Sequence, residues 1–219
     1  DVICTLTPQS LLQLMKGHTT MPLGYRSTLN NLNEPSGAIV FYGALQRSFL
    51  PENLPSHIQI SSEEYSSIFI SISQDGDGRA PIGEATIIAS VFAETKDWSS
   101  LSDKDYKVFK QSIFNHLESE LNIWLKIDST VWLHRELATP KSFEFWTGRP
   151  RGIVGGLGQH PLRSGIFGLA SRTPMKGLWL CGDSIHPGEG TAGVSQSALM
   201  ACRQLIASRQ KTLDNIFND

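Results

Sequence analysis

The sequence predicts a mixed α/β (α+β) fold, and three observations carry that reading. An apolar segment, Val2 to Leu6, reads as a short buried strand that runs straight into a helix start at Thr7-Pro8. Ile68, Ile70 and Ile72 alternate with Phe69, Ser71 and Ser73, the period of a strand, and Gly83 to Ala93 returns beside it as a hairpin. Near the carboxyl end, Gly177 to Asp183 reads as another strand, which leads through a glycine-rich loop into a helix from Val194 to Ser208.

In chain order, Thr7 serves as N-cap and Pro8 as first residue of a helix carrying Leu11, Leu12, Leu14 and Met15, and Gly17 ends it. Residues 18–37 are rich in Asn, Pro and Gly and read as an irregular connection with room for one short element. Ala38 to Leu45 is a strand, and Pro51 and Pro55 interrupt regular structure after it. Gln74 to Pro81 is the hairpin's turn. Ser102, with Asp105 three residues on, resembles a capping box and opens a long helix. Its apolar face collects Tyr106, Phe109, Ile113, Leu117, Leu121 and Trp124. Thr130 to Leu137 is a further strand. Gly148, Gly152, Gly155, Gly156, Gly158, Gly165 and Gly168 then crowd one segment with little secondary-structure signal. Such segments persist where backbone covers a ligand or packs closely on other backbone. Arg149 and Arg163 sit in it, either as partners of acidic or cofactor oxygens or as plain surface cations.

Composition narrows the function. With 219 residues, 40% hydrophobic and 18% charged, the chain has the apolar content for a core. Nineteen Lys and Arg against 21 Asp and Glu give a net charge of −2, which argues against nucleic acid as a partner. Three scattered cysteines, Cys4, Cys181 and Cys202, make neither a disulfide framework nor a zinc site, and they fit a reducing compartment. No apolar run reaches the ~18 to 20 residues of a membrane-spanning helix, and no signal peptide is visible. The chain opens at Asp1, inside the apolar run Val2-Ile3-Cys4, so a piece of a larger protein is expected.

The carboxyl-terminal strand, loop and helix carry the chemistry. A strand that delivers Asp183 to a sheet's carboxyl edge puts an acceptor where a sugar hydroxyl can reach it, although the same Asp could simply cap the loop. The loop glycines let backbone approach a flat ring. Amide hydrogens at the helix start, around Gly193 to Ser195, sit at the positive end of the helix dipole and favour electron-rich atoms. His186 reads as a loop histidine before an acid or base. His18, His57, His116, His134 and His160 lack ligand spacing, so no metal is expected. Asp75-Gly76-Asp77-Gly78 lacks the register and closing Glu of a calcium loop and reads as a turn.

The string Gly-Leu-Trp-Leu-Cys-Gly-Asp-Ser-Ile-His-Pro-Gly-Glu-Gly-Thr-Ala-Gly-Val from Gly177 resembles the C-terminal flavin motif of the bacterial-type carotenoid desaturase and isomerase group. That group contains the phytoene desaturases and belongs to the amine-oxidase-like flavoproteins. Thr139-Pro140, Thr147 to Pro150 and Gly152 to Gly156 fit the same group, in detail the C-3',4' carotenoid desaturases. The resemblance implies a Rossmann-type FAD domain, here residues 1–17 and 149–219, and a substrate domain with a mixed sheet and helices, residues 18–148.

Carried over one position at a time, the resemblance gives Asp183 to the flavin's ribityl chain and Gly182 to its close approach. Gly193 and Val194 match backbone donors to the flavin N1–O2 edge, and His186, Pro187 and Gly188 match the loop along the isoalloxazine. Gly190 and Thr191 depart from the apolar residues common in phytoene desaturases. No catalytic residue is assigned. The Gly-x-Gly-x-x-Gly that grips the FAD pyrophosphate is absent from the 219 residues, so this chain alone is expected to bind FAD weakly or not at all and to be inactive. The implied activity is desaturation of a carotenoid or similar polyene by hydride transfer to flavin N5, with carotenoid cis–trans isomerisation as its neighbour. A location in the cytoplasm with peripheral membrane contact is expected for so apolar a substrate. Rab GDP-dissociation inhibitors share the overall fold without flavin chemistry; the glycines after Gly182-Asp183 speak for a flavoprotein instead.

Overall fold

The computed structural model describes residues 1–17, 21–32, 35–158 and 167–218. It forms two compact units, Asp1–Ser36 with Val154–Asp219, and Gly37–Ile153. His18, His160, Arg163 and Gly165 lie outside the described residues.

The first unit opens with strand β1 (Val2–Cys4), helix α1 (Pro8–Leu14) and helix α2 (Leu23–Asn30). Thr7 caps α1 as its sequence dictates: its Oγ1 accepts from the Ser10 amide at 3.2 Å, and Pro8 takes the first helical position. β1 pairs in parallel with a strand from the far end of the chain, β7 (Leu178–Leu180), with Val2 opposite Leu178 and Cys4 opposite Leu180. The expectation of a buried first strand is corrected: Val2 is 60% exposed and Ile3 39%. Among the described residues β7 is its one strand partner, and a two-stranded sheet cannot cover both of its own faces.

The core of this unit joins Leu11 of α1, Met21, Leu29 of α2, Leu180 and Ile185. Burial of Met21 and Leu29 there explains why 36/37 and 153/154 are the divisions between units, in place of the expected 17/18 and 148/149. The anchor residues of α2 belong to the first core, and Gly152 packs so tightly on Pro140 of the second unit that a Cβ would fall 1.7 Å from the Pro140 carbonyl oxygen.

The second unit is a five-stranded antiparallel sheet. Its strands are β2 (Gly37–Gln46), β3 (His57–Ser62), β4 (Ser66–Ile72), β5 (Glu84–Ala93) and β6 (Trp132–Ala138), in the order β3-β4-β5-β2-β6. The period-2 pattern is realised: Ile68, Ile70 and Ile72 are all fully buried on one face. Opposite them lies helix α4 (Asp103–Leu125), whose Leu117, Leu121 and Leu125 are also fully buried. Each such side chain contributes roughly 1.5–3 kcal/mol by leaving water. The expected stripe is realised in most of its members: Ile113, Leu117 and Leu121 are buried and Tyr106 and Trp124 pack against the same core, while Leu125 joins them and Phe109 is 41% exposed, tilted on Trp98.

The Ser102 capping box is half formed: Ser102 Oγ accepts from the Asp105 amide at 3.2 Å and donates to Asp105 Oδ2 at 2.6 Å. Asp77 builds the hairpin turn, accepting from the Gln74 and Arg79 amides at 2.6 and 2.9 Å and from Arg79 Nε at 2.8 Å. Three elements had no sequence reading: β3, helix α3 (Thr95–Ser99) and helix α5 (Pro140–Thr147). The signals for α5 were present, namely Thr139 as cap, Pro140 at the first position and Gly148 left-handed at φ 67. No described helix is long and apolar enough to cross a membrane.

Candidate functional site

The site is built where β7 (Leu178–Leu180) hands over to helix α6 (Gly190–Asn218) in the first unit. The Cys181 amide still donates to the Cys4 carbonyl at 3.0 Å, so the parallel pairing with β1 runs on to the loop. Gly182 is next, at φ 123, a backbone conformation that favours glycine. Its amide donates to Ser197 Oγ of α6 at 2.9 Å, and that hydroxyl reaches the Val194 carbonyl at 2.9 Å and the Gly182 carbonyl at 3.2 Å. Ser197 is fully buried. One hydroxyl thus fixes the strand end to the first turns of the helix. Sequence reasoning passes over Ser197, although its place as a hydroxyl on the Val194–Ala198–Ala201 face is a usable signal.

The loop between them is held by backbone. Ile185 donates to the Gly182 carbonyl at 3.2 Å, His186 to the Leu169 carbonyl at 2.9 Å and Gly188 to the Ile185 carbonyl at 2.9 Å. Asp183 is half-buried and accepts from Ser184 Oγ at 3.3 Å. Its carbonyl lies so close over Gly156 that a Cβ there would come within 2.1 Å, which gives the glycine-rich segment a packing reason. The His186–Pro187 peptide is cis. His186 Nδ1 is buried and has no hydrogen-bond partner among the described residues. Gly188 (φ 119) and Gly190 (φ 80) both face open space, with nothing among the described residues within 4 Å of where a Cβ would stand.

The helix starts earlier than expected. It opens at Gly190 rather than Val194, so the first-turn amides belong to Gly190, Thr191, Ala192 and Gly193, and Val194 sits half-buried behind them. Gly193 has a close approach, but to protein: a Cβ would fall 2.4 Å from the Gly188 carbonyl oxygen. The first turn therefore abuts the loop directly. Glu189 precedes that turn, where its negative charge complements the dipole, and its carboxylate lies against Gly155.

Around the loop, burial sets the electrostatics. The Tyr25 phenol is pushed up to about 12, first by burial and then by the nearby Cys4. Burial, with Cys202 and Cys4 adding to it, also raises the Cys181 thiol, which keeps it in the unreactive protonated form. A cavity of about 390 Å³ borders the loop's anchor, lined by Ser27 and Thr28 of α2, by Asn31 just after it, and by Phe167 and Leu169. Gly182, Asp183, His186, Pro187, Gly188, Gly190, Gly193 and Val194 thus all fall within one strand–loop–helix unit, whereas Arg149 belongs to the second unit. The unit offers bare backbone, donor amides at a helix start, a carboxylate and a buried imidazole nitrogen.

This α/β chain is similar in sequence to prolycopene isomerases and to a hydroxyneurosporene desaturase, proteins of the group that the Gly177 string resembles. The chain is 30% identical over 147 residues to the chloroplastic prolycopene isomerase of Daucus carota, which covers 65% of this chain and 24% of that protein. It is 29% identical over 151 residues to the corresponding protein of Arabidopsis thaliana, covering 66% and 25%. With the hydroxyneurosporene desaturase of Rubrivivax gelatinosus it shares 33% identity over 88 residues, covering 40% and 17%. The chain spans about a quarter of the length of the isomerases it matches. No family model matches it.

Proposed function

We propose that this chain is part of an FAD-dependent oxidoreductase of the carotenoid desaturase and isomerase group, with a carotenoid or similar polyene as substrate. The observation that carries the reading is the open face of the 186–190 loop: Gly188 and Gly190 leave bare backbone beside the first turn of α6. Those residues fit the ring-and-ribityl half of a flavin, since side chains at either glycine would fill the space such a ring needs. Bound FAD supplies a two-electron hydride acceptor at N5.

This chain's residues would hold and orient that group. Amides of the first α6 turn donate to electron-rich atoms, and the helix dipole favours added negative charge there. The Asp183 carboxylate accepts from a polyol hydroxyl. Gly182, His186, Pro187 and Gly188 shape the loop along the ring, and Gly193 and Val194 set where the helix meets it. No side chain of the loop is assigned a proton transfer; the protein's part is to position a C–H bond and exclude water.

Desaturation is the finer reading, supported by the match to the hydroxyneurosporene desaturase. Cis–trans isomerisation is the second, favoured by the longer match to the prolycopene isomerases, 147 residues against 88. Expression of the complete reading frame in a carotenoid-accumulating bacterium separates them. A product lighter by two hydrogens marks desaturation, and unchanged mass with a shifted absorption spectrum marks isomerisation. A colourless protein that alters no polyene sinks both.

A further inference from the structure

Among the described residues a single charged side chain is buried, and it stands beside a cavity. Glu118 of α4 is 8% exposed, and its Oε1 accepts from Arg135 Nη1 of β6. The cavity next to this pair measures about 430 Å³ and is lined by Glu118, Ser119 and Asn122 of α4, by Ile127 and Ser129 beyond it, and by Arg135.

The walls of the cavity are fixed. Trp132 Nε1 donates to Asn122 Oδ1 at 2.8 Å, and the Ile127 amide donates to the Asn122 carbonyl at 3.0 Å. An indole nitrogen can only donate, so the Asn122 side chain is oriented with its Nδ2 hydrogens left over. Asp128 Oδ1 accepts from the Thr130 amide at 2.9 Å and so holds the turn Ser129–Val131. Among the described residues, Glu118 Oε2, the other guanidinium hydrogens of Arg135 and the hydroxyls of Ser119 and Ser129 have no protein partner. β6 is an edge strand, and an inward charge that guards the edge accounts for Arg135 alone. It does not account for a buried carboxylate with one oxygen left open, since burying an ion is costly unless its remaining lone pairs are satisfied.

Charge and donor set name the ligand. Arg135 and Glu118 are the charged residues that line the cavity, and their charges cancel, so neither an anion nor a cation is favoured. A carboxylate oxygen flanked by N–H and O–H donors complements neighbouring hydroxyls, each of which donates once and also accepts. Ile123, 76% exposed, and Ile127 offer apolar surface to a carbon skeleton. We propose that this cavity binds the vicinal diol of a neutral sugar or polyol, whose hydroxyls donate to Glu118 Oε2 and accept from Arg135 and Asn122 Nδ2. The inference stands on the second unit alone and needs neither the flavin nor the polyene.

The test uses the product of the complete reading frame, isotope-labelled at the tryptophan indole nitrogens. Trp132 reports on the cavity through its bond to Asn122, and Trp132→Phe identifies its resonance. The probes are methyl mannopyranoside, methyl galactopyranoside and myo-inositol, with cyclohexanol as the ring that lacks a diol. A saturable shift of the Trp132 indole resonance is expected with at least one of the three polyols and none with cyclohexanol. Glu118→Gln should weaken binding about tenfold or more. Ser119→Phe breaks no side-chain hydrogen bond among the described residues and fills the cavity mouth; it should abolish the shift and leave the melting temperature at that of the parent. No saturable shift with any of the three polyols, an equal shift with cyclohexanol, or parental affinity in Ser119→Phe each overturns the proposal. So does parental affinity in a folded Glu118→Gln; should that variant fail to fold, Ser119→Phe decides.

Discussion

Ser197 Oγ accepts the Gly182 amide at 2.9 Å and thereby ties the end of β7 to the beginning of α6. The hydroxyl is fully buried and also reaches the Val194 carbonyl at 2.9 Å. Ser197→Ala would leave a glycine amide without its partner at the point where the loop leaves the strand. A loss of ~1–3 kcal/mol in unfolding free energy is expected, read by urea denaturation. An unchanged midpoint would show that water replaces the hydroxyl.

Two glycines of the same loop should respond differently. At Gly193 an added methyl meets the Gly188 carbonyl at 2.4 Å, so backbone must move. At Gly190 the space is open and only the left-handed φ of 80 opposes a side chain, at a cost of ~1–2 kcal/mol. Gly193→Ala is expected to lower the melting temperature more than Gly190→Ala. It should also displace the first turn of α6, and the proposed flavin site then predicts weaker flavin retention by the complete protein on gel filtration.

The core of the second unit gives a plain contrast across one strand. Ile70 is fully buried against α4, whereas its neighbour Phe69 is 44% exposed on the other sheet face, stacked on His57 at 5.8 Å. Ile70→Ala should cost ~2–5 kcal/mol and Phe69→Ala distinctly less, measured by chemical denaturation.

The Tyr25 phenol, raised from 10.0 to about 12 by burial and by Cys4, predicts alkaline lability. The unfolded chain ionises this phenol first. The stabilisation is therefore complete below pH 10 and is lost as pH rises through the folded value near 12. Tyr25→Phe should flatten the stability profile in that window, monitored by fluorescence at rising pH.

Asp77 predicts the opposite window. Hydrogen bonds from the Gln74 and Arg79 amides, then from the Arg79 side chain, lower its carboxyl to about 2. A depressed carboxyl stabilises above its unfolded value of 3.8 and loses that contribution as pH falls toward 2. Carbon-detected NMR titration of Asp77 should show a midpoint well below the other exposed carboxylates. An ordinary midpoint would remove the turn-building role.

Local rules were legible wherever one short segment decides its own state. The caps at Thr7 and Ser102, the alternation through Ile68, Ile70 and Ile72 and the α4 stripe could be read because side-chain period and capping chemistry are properties of neighbours in sequence. β3 was missed because Ile58 and Ile60 alone give a weak alternation beside Pro55. α5 was hidden by the glycines after it. Gly190 and Gly193 read as loop, yet α6 opens at Gly190, one turn before Val194, and Gly193 packs on the Gly188 carbonyl.

The sequence by itself determined the α/β class, most of the sheet of the second unit and the string of residues at the β7–α6 turn. Only the tertiary structure decided that β7 pairs with β1 from the opposite end of the chain, that Ser197 fastens Gly182, and that Gly156 exists to receive the Asp183 carbonyl. The physical reason is range. Periodicity and caps act over one or two turns of chain, but a strand's partner and a glycine's necessity depend on which distant backbone arrives within a few ångströms.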